Sequence, residues 1–198
     1  MKIAIIDYGS GNVFSVSAAL RRLGVDAVVT ADFDVIKSSD AIIFPGVGHA
    51  KYAMEQLKET GLDHLIPTLT QPVLGICLGM QLMCSFTEEG DVECLNIFSN
   101  VKVRKFVDSP KIPHMGWNKL ENGKGLFTET NSDVYFVHSY YAELNEYTVS
   151  ESEYGGRFTA SMQKDNFYGC QFHPEKSGKS GEKIIADFLK MIKFNSRQ

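Results

Sequence analysis

The sequence is short of basic charge, of paired cysteines and of long apolar runs, and each shortage removes a class of function. Twenty Lys and Arg stand against 24 Asp and Glu, a formal net charge of −4. No basic stripe marks an electrostatic footprint for nucleic acid. No run of about 18 apolar residues occurs, so no membrane-spanning helix is expected. The four cysteines, Cys77, Cys84, Cys94 and Cys170, form no C-x-x-C pair. A structural zinc site does not fit that spacing, and no metal is expected. Three of them read as small buried hydrophobes and Cys77 as the exception. The opening MKIAIIDYGS has one Lys, then an apolar run that meets Asp7 too early for a signal peptide. A cytoplasmic protein with reduced thiols is expected. Linkers, repeats and low-complexity stretches are also missing. The 198 residues, 43% hydrophobic and 22% charged, read as one globular domain spanning 1–198.

What is present is an alternation of strand and helix signals. Lys2–Ile6 reads as a strand. Val13–Leu23 carries apolar residues at 13, 16, 20 and 23, with Asn12 as a suitable N-cap and Gly24 as a stop. Ala27–Val29 and Ala41–Phe44 read as strands, the second closed by Pro45-Gly46. His49–Thr60 reads as a helix stopped by Gly61, Val73–Cys77 as a strand and Leu78–Phe86 as a helix. This order argues for an α/β fold on a mainly parallel sheet with flanking helices. In the second half Val92–Val107, Val134–Tyr141, Arg157–Gln163 and Phe167–Phe172 are strand-like, and antiparallel extensions of the sheet are expected from them. Ser180 is a candidate cap for a last helix with an apolar stripe at 184, 185, 188, 189 and 192.

Three motifs carry chemistry. Gly75-Ile76-Cys77-Leu78-Gly79 follows a buried strand and opens a helix. That is the pattern of a nucleophile elbow with Cys in the nucleophile position. Glycines two residues either side of the nucleophile leave room for the tight turn, and a helix N-terminus favours thiolate. Taken alone, a buried Cys in a Gly-rich turn fits the five residues too. His173-Pro174-Glu175 follows an apolar strand. In extended chain, His173 and Glu175 point to one side, so the acid can orient the imidazole. Taken alone, a turn with a surface His and Glu fits the segment better. A zinc deaminase needs P-C-x-x-C after H-x-E, and no cysteine follows Cys170. Pro45-Gly46-Val47-Gly48 ends a strand, where a loop N–H can serve an oxyanion, and the glycines flanking Val47 leave its peptides free to rotate. Tyr8–Asn12 has Phe14 where a dinucleotide fingerprint needs its third glycine, so it reads as a turn and helix cap. By spacing alone His49, His64, His114 and His138 read as structural.

The conjunction of elbow cysteine, glycine loop and late His-Pro-Glu resembles the class I, triad-type glutamine amidotransferase family. GICLGMQ (75–81) is similar to its nucleophile signature and QFHPE (171–175) to its His/Glu signature. Tyr8–Asn12 (YGSGN), PGVG (45–48), Glu88–Gly90 (EEG), PHMGWN (113–118) and YFVHSY (135–140) are similar to the members that serve imidazole glycerol phosphate synthases. The resemblance implies glutamine as substrate and ammonia passed to a (β/α)₈ cyclase subunit in a heterodimer, for histidine biosynthesis, without metal or organic cofactor. It implies Cys77 as nucleophile, His173 as base and Glu175 as acid, with oxyanion donors from Leu78 and the Val47–Gly48 loop. It implies Gln81, Glu89, His138, Ser139 and Tyr140 around glutamine, and Asn12, Trp117 and Tyr135 facing the synthase. Two departures stand out: Cys94-Leu95-Asn96 replaces a Gly-Leu-Gly-type stretch, and Thr87 stands where Ser is common. Three rivals are a relative feeding another synthase, such as a sugar-amidating one, a catalytically silent subunit, and a peptidase on the same fold.

Overall fold

The computed structural model describes residues 1–107, 110–128 and 132–195, with side chains up to 192. Thirteen strands and six α-helices are present among them. They are β1 (Ile3–Ile6), α1 (Val13–Arg22), β2 (Ala27–Thr30), α2 (Phe33–Lys37), β3 (Ala41–Gly46), α3 (Ala50–Thr60), α4 (Leu62–Leu65), β4 (Val73–Cys77) and α5 (Leu78–Leu82). There follow β5 (Cys84–Thr87), β6 (Val92–Glu93), β7 (Phe98–Lys105), β8 (His114–Lys119), β9 (Asp133–His138), β10 (Tyr140–Ala142), β11 (Thr148–Glu153), β12 (Arg157–Lys164), β13 (Phe167–Cys170) and α6 (Gly178–Asn195).

Seven strands form one sheet in the order β11-β12-β13-β4-β3-β1-β2. The five from β13 to β2 run parallel, and β11 and β12 add antiparallel strands at one edge. Ile3 and Ile5 face α1 and α6, while Ala4 and Ile6 face α3, α4 and α5. Both faces are covered, so every residue of β1, β3 and β4 is buried and the runs IAII, AIIF and VLGIC show no polar alternation. The apolar stripe at 184, 185, 188, 189 and 192 is buried against that first face, as its spacing predicts. Asn12 accepts from the Ser15 N–H at 3.3 Å and caps α1, and Gly61 at φ 72° ends α3.

Several boundaries differ from the sequence reading. The helix after Cys77 stops at Leu82, not Phe86. Cys84–Thr87 instead pairs with β6 and β7, because Ser85, Phe86 and Thr87 suit a pleated strand and find partners. β3 runs on through Pro45-Gly46, which pair with Ile76 and Cys77. Among the described residues only β11 and β12 extend the main sheet antiparallel. The stretch Val92–Val107 splits into β6 and β7, which join a separate sheet, β10-β7-β5-β6, while β8 and β9 make a two-stranded ribbon. PHMGWN therefore contains a strand that its glycine and proline concealed. Ser180 lies inside α6 and is not its cap. Among the described residues no helix is long and apolar enough to cross a membrane.

Candidate active site

Three neighbouring parallel strands end at one place. β4 delivers Cys77, β3 delivers Gly46 opposite it, and β13 leads into Gln171 and His173. The carboxyl edge of a parallel sheet is where such folds place their sites. Cys77 holds φ 55° and ψ −110°, a conformation that non-glycine residues rarely adopt. Strain of this kind costs about 1–3 kcal/mol and persists only where packing enforces it. Here the packing is explicit. A Cβ on Gly75 would stand 2.3 Å from Met83 Cε, and one on Gly79 would stand 1.9 Å from the Phe44 carbonyl oxygen. The two glycines let β3 and α5 close on the turn.

His173 is extended, at φ −101° and ψ 94°, and its ring Nδ1 lies 2.8 Å from Glu175 Oε1. The contact does not arise from a continuous strand, as the extended-chain spacing suggests. Pro174 opens a 3₁₀ turn over Pro174–Lys176, which brings Glu175 under the ring. The His173 N–H donates to the Tyr135 carbonyl at 2.9 Å and the Ser177 hydroxyl to the His173 carbonyl at 2.6 Å, which fixes the backbone on both sides. With Nδ1 committed to Glu175, Nε2 has no other buried partner and is left for the Cys77 sulfur. Burial pulls the ring's pKa down, but Cys77 and Glu175 outweigh it and hold it at about 10. The imidazole therefore keeps a proton easily beside a negative sulfur. The sulfur itself lies 3.8 Å from the Val137 carbonyl and 3.6 Å from Gln171 Nε2.

A cavity of about 200 Å³ opens at the sulfur. Its walls include Val47, Gly48, Leu78, Gln81, Glu89, His138, Ser139 and Tyr140 beside Cys77 and His173, all residues singled out by sequence. Geometry refines several of them. The Gln81 amide nitrogen is committed to the Tyr140 carbonyl at 2.9 Å and to Gln171 Oε1 at 2.8 Å, which leaves its oxygen for a ligand. Glu89 accepts from the Ala50 N–H at the start of α3, at 2.9 Å. Burial raises its pKa, against the opposing pull of that N–H and of His49. Gly46 is not a free hinge. It sits inside β3, and a Cβ there would stand 2.5 Å from the Gly79 nitrogen, so close approach is what requires glycine. Gly48, at φ 94°, is in the left-handed region that favours glycine, with only the Ser10 hydroxyl oxygen, 3.8 Å away, near the place of a Cβ. The Val47 carbonyl accepts from the Ser10 hydroxyl at 2.5 Å and the Pro45 carbonyl from Tyr8 at 3.0 Å, so the turn after β1 holds this loop. Tyr8, Ser10, Val137 and Gln171 lie in motifs quoted above but were given no role of their own, and Lys176 lies in none of them. Gln171 lies in the QFHPE motif, and its part depends on a side-chain orientation that only packing sets.

His138 lines the cavity with neither ring nitrogen free. Its Nδ1–H donates to the Tyr140 carbonyl at 2.8 Å, so Nε2 is the acceptor facing His114 Nδ1 at 3.0 Å. Burial pushes His138 down to about 3 and His114 down to about 4. Both are neutral in the folded chain and protonate from about 6.5 when unfolded. The unfolded state thus binds more protons below that pH, and stability is lost as pH falls from about 6.5 towards 4. His114 stacks on Phe136 and Tyr154, at 4.9 and 3.9 Å, so a phenyl ring suits the place. Thermal melts of His114→Phe across this range are expected to fall less steeply than those of the wild type. Equal slopes would remove the pair as the origin.

Trp117 and Tyr135 face each other across the β8–β9 ribbon, rings 6.0 Å apart, with Trp117 58% exposed. Asn12 lies on a different loop. Among the described residues no group of three His, Cys, Asp or Glu is placed to hold a metal ion.

Strained cysteine, acid-oriented histidine and a small cavity at the sulfur, on a mainly parallel sheet, define a cysteine-nucleophile enzyme of the elbow type. The class-I glutamine amidotransferase family matches residues 4–192, and the chain belongs to that family. Among its relatives, imidazole glycerol phosphate synthase subunit HisH of Bacteroides fragilis is 55% identical over 197 residues, covering 96% of this chain and all of that protein. The subunit of the same name from Haemophilus influenzae is 48% identical, covering 98% of this chain and all of its own. A putative GMP synthase subunit from Thermoplasma acidophilum shares the fold, with a TM-score of 0.76 at 19% identity over 100% of this chain and 96% of that one.

Proposed function

We propose that this chain is the glutaminase of an imidazole glycerol phosphate synthase, acting as one domain over residues 1–198. It hydrolyses glutamine to glutamate and passes the ammonia to a (β/α)₈ cyclase subunit in histidine biosynthesis. The observation that carries the reading is the Cys77–His173–Glu175 arrangement at a cavity, in a chain similar to the HisH subunits over nearly its whole length. In this reading Cys77 thiolate attacks the amide carbon of glutamine. The oxyanion accepts N–H groups from Leu78 and the Val47–Gly48 loop. His173, oriented by Glu175, gives its proton to the departing ammonia, leaving a glutamyl thioester. The neutral ring then takes a proton from water, and the hydroxide equivalent releases glutamate and regenerates the sulfur. Gln81, Glu89, Ser139 and Tyr140 surround the amino-acid end of the substrate.

The exposed Met115 and Trp117, with Tyr135, support the β8–β9 ribbon as the cyclase-facing surface. Asn12 also belongs to that face, although its oxygen caps α1. The same ribbon supplies the carbonyls that hold His173 and face the sulfur, so a partner docked there acts directly on the catalytic backbone. The departure at Cys94-Leu95-Asn96 does not count against the reading. Asn96 holds φ 52°, a left-handed conformation that asparagine tolerates better than other side chains, so the backbone a glycine would give is kept.

The test is glutamate formation by the chain alone, with the cyclase, and with cyclase plus its nucleotide acceptor. Little activity is expected alone. Stimulation of about 10²–10³-fold, the worth of one well-placed oxyanion donor, is expected with both. Equal rates in all three would make the chain a free-standing hydrolase.

A further inference from the structure

Gln171 is fully buried immediately after β13, with its backbone N–H donating to the Ala160 carbonyl at 2.8 Å. Its side chain lies between Gln81 and the nucleophile. An amide can be turned over end for end, and in many places nothing decides which end is nitrogen. Here a chain of contacts decides it. The Tyr140 carbonyl is an acceptor only, so the end of Gln81 that lies 2.9 Å from it is the NH₂. That same nitrogen lies 2.8 Å from one end of the Gln171 amide, which must therefore be oxygen. The other end of Gln171 is nitrogen, and its N–H points at Cys77 Sγ from 3.6 Å. The reverse orientation would set two NH₂ groups against each other and place a carbonyl oxygen on the sulfur. The Tyr140 carbonyl is itself fixed, because the His138 Nδ1–H also donates to it, at 2.8 Å.

We propose that Gln171 is a further catalytic residue, whose amide N–H donates to the Cys77 sulfur and stabilises its negative charge, with Gln81 setting the direction of that donor. The proposal rests on the reading of Cys77 as the nucleophile. On its other side the sulfur faces the Val137 carbonyl at 3.8 Å, which suits the thiol hydrogen and repels a thiolate. Gln171 offsets that repulsion from a position that ligand entry does not disturb. A hydrogen bond to a charged atom is stronger than one to a neutral atom, so the donor favours the thiolate over the thiol. As the sulfur bonds to the amide carbon, its charge passes to the oxyanion, and the Gln171 contact weakens while the Leu78 and loop donors take over. Gln171 thus serves the stage before attack and the oxyanion donors the stage after it. The cavity-facing role of Gln81 and this inward-facing one use different atoms of its amide, the oxygen for the ligand and the nitrogen for Gln171.

The experiment is alkylation of Cys77 by iodoacetamide as a function of pH, followed by mass spectrometry of the Cys77 peptide. It is run on the wild type, Gln171→Met and Gln171→Glu, each checked by circular dichroism. The reagent needs neither glutamine nor partner. A wild type that alkylates normally but never hydrolyses glutamine with its cyclase would sink the proposed function and leave this inference standing. Gln171→Met removes the donor at similar length. Gln171→Glu keeps an acceptor for Gln81 and turns an acceptor towards the sulfur. The expected result is that the rise of alkylation with pH moves up in Gln171→Met by about one pH unit, a tenfold loss of thiolate preference of the size a charge-assisted bond supplies. It moves further in Gln171→Glu. Above the rise, both variants react at least as fast as the wild type, because a less stabilised thiolate is the better nucleophile. A structural role alone predicts a different pattern. Reactivity then changes by the same factor at every pH, or Gln171→Glu restores what Gln171→Met loses. Either of these, or a Gln171→Met profile that overlays the wild type, would overturn the proposal.

Discussion

Cys77→Ala is expected to reduce glutamine hydrolysis by the cyclase-bound chain at least about 10⁴-fold, to the background of the assay. The substitution removes one sulfur atom, and no other thiol at the cavity replaces it. The remaining thiols are far less able to react. Burial raises Cys84 and Cys170 well above the ordinary thiol range, and burial with the Glu93 charge pushes Cys94 up to about 12. Cys77 alone of the four lines the cavity. A glutamine-like chloroketone should accordingly modify Cys77 and spare the other three. The fold is expected to survive, since Ala keeps the Cβ and the turn is held by Gly75 and Gly79. More than a trace of ammonia release from a folded Cys77→Ala chain, or equal labelling of all four cysteines, would end the assignment of the nucleophile.

The second large effect is expected at Gly79, which touches no substrate. Gly79→Ala would put a methyl group 1.9 Å from the Phe44 carbonyl oxygen and 3.4 Å from the Pro45 carbonyl carbon. These are backbone atoms of β3, paired across to β4, and they cannot swing aside as a side-chain end does. Gly79 lies in α5, where alanine is ordinarily better than glycine by about 1 kcal/mol. The steric term opposes and exceeds this, for a net loss of about 3 kcal/mol or more. The turn presenting Cys77 moves with it, so activity should fall even where the chain stays folded. Gly24→Ala is the comparison. Gly24 holds φ 75° with nothing within 4 Å of a Cβ, so only left-handed backbone strain applies, about 1–2 kcal/mol, and activity should persist. Urea denaturation and a glutaminase assay on both variants check the pair. Similar losses in both would mean that close packing at the elbow is not what Gly79 provides.

Much of this was legible because the chemistry concerned is local. The caps at Asn12 and Gly61, the stripe on α6, the parallel first half and the elbow follow from residues a few positions apart. The triad was legible as two separate motifs, and all five residues singled out around glutamine line one cavity. The misreadings share another cause. Helix extension past Leu82, closure of β3 at Pro45 and a single sheet for every later strand were local inferences that distant partners overruled. Cys84–Thr87 is a strand because β7, more than ten residues on, offers it a ladder. Gly46 looked like a hinge because glycine permits rotation, but a backbone 33 residues away occupies the space of its Cβ.

The sequence by itself determined the reaction class, because a nucleophile elbow and a histidine–acid pair each need particular residues at fixed short spacing. The tertiary structure alone decided how the site is oriented. Only packing brings Gln81, Gln171 and the Tyr140 carbonyl together, 90 positions apart at the widest, and so sets which end of each amide carries the hydrogens. The same holds for the His114–His138 pair and for the Ser10 contact with the Val47 loop. A hydrogen bond between residues remote in sequence has no period or spacing to betray it. Its direction follows from the whole chain of donors and acceptors, which exists only once the sheet has brought its strand ends to one edge.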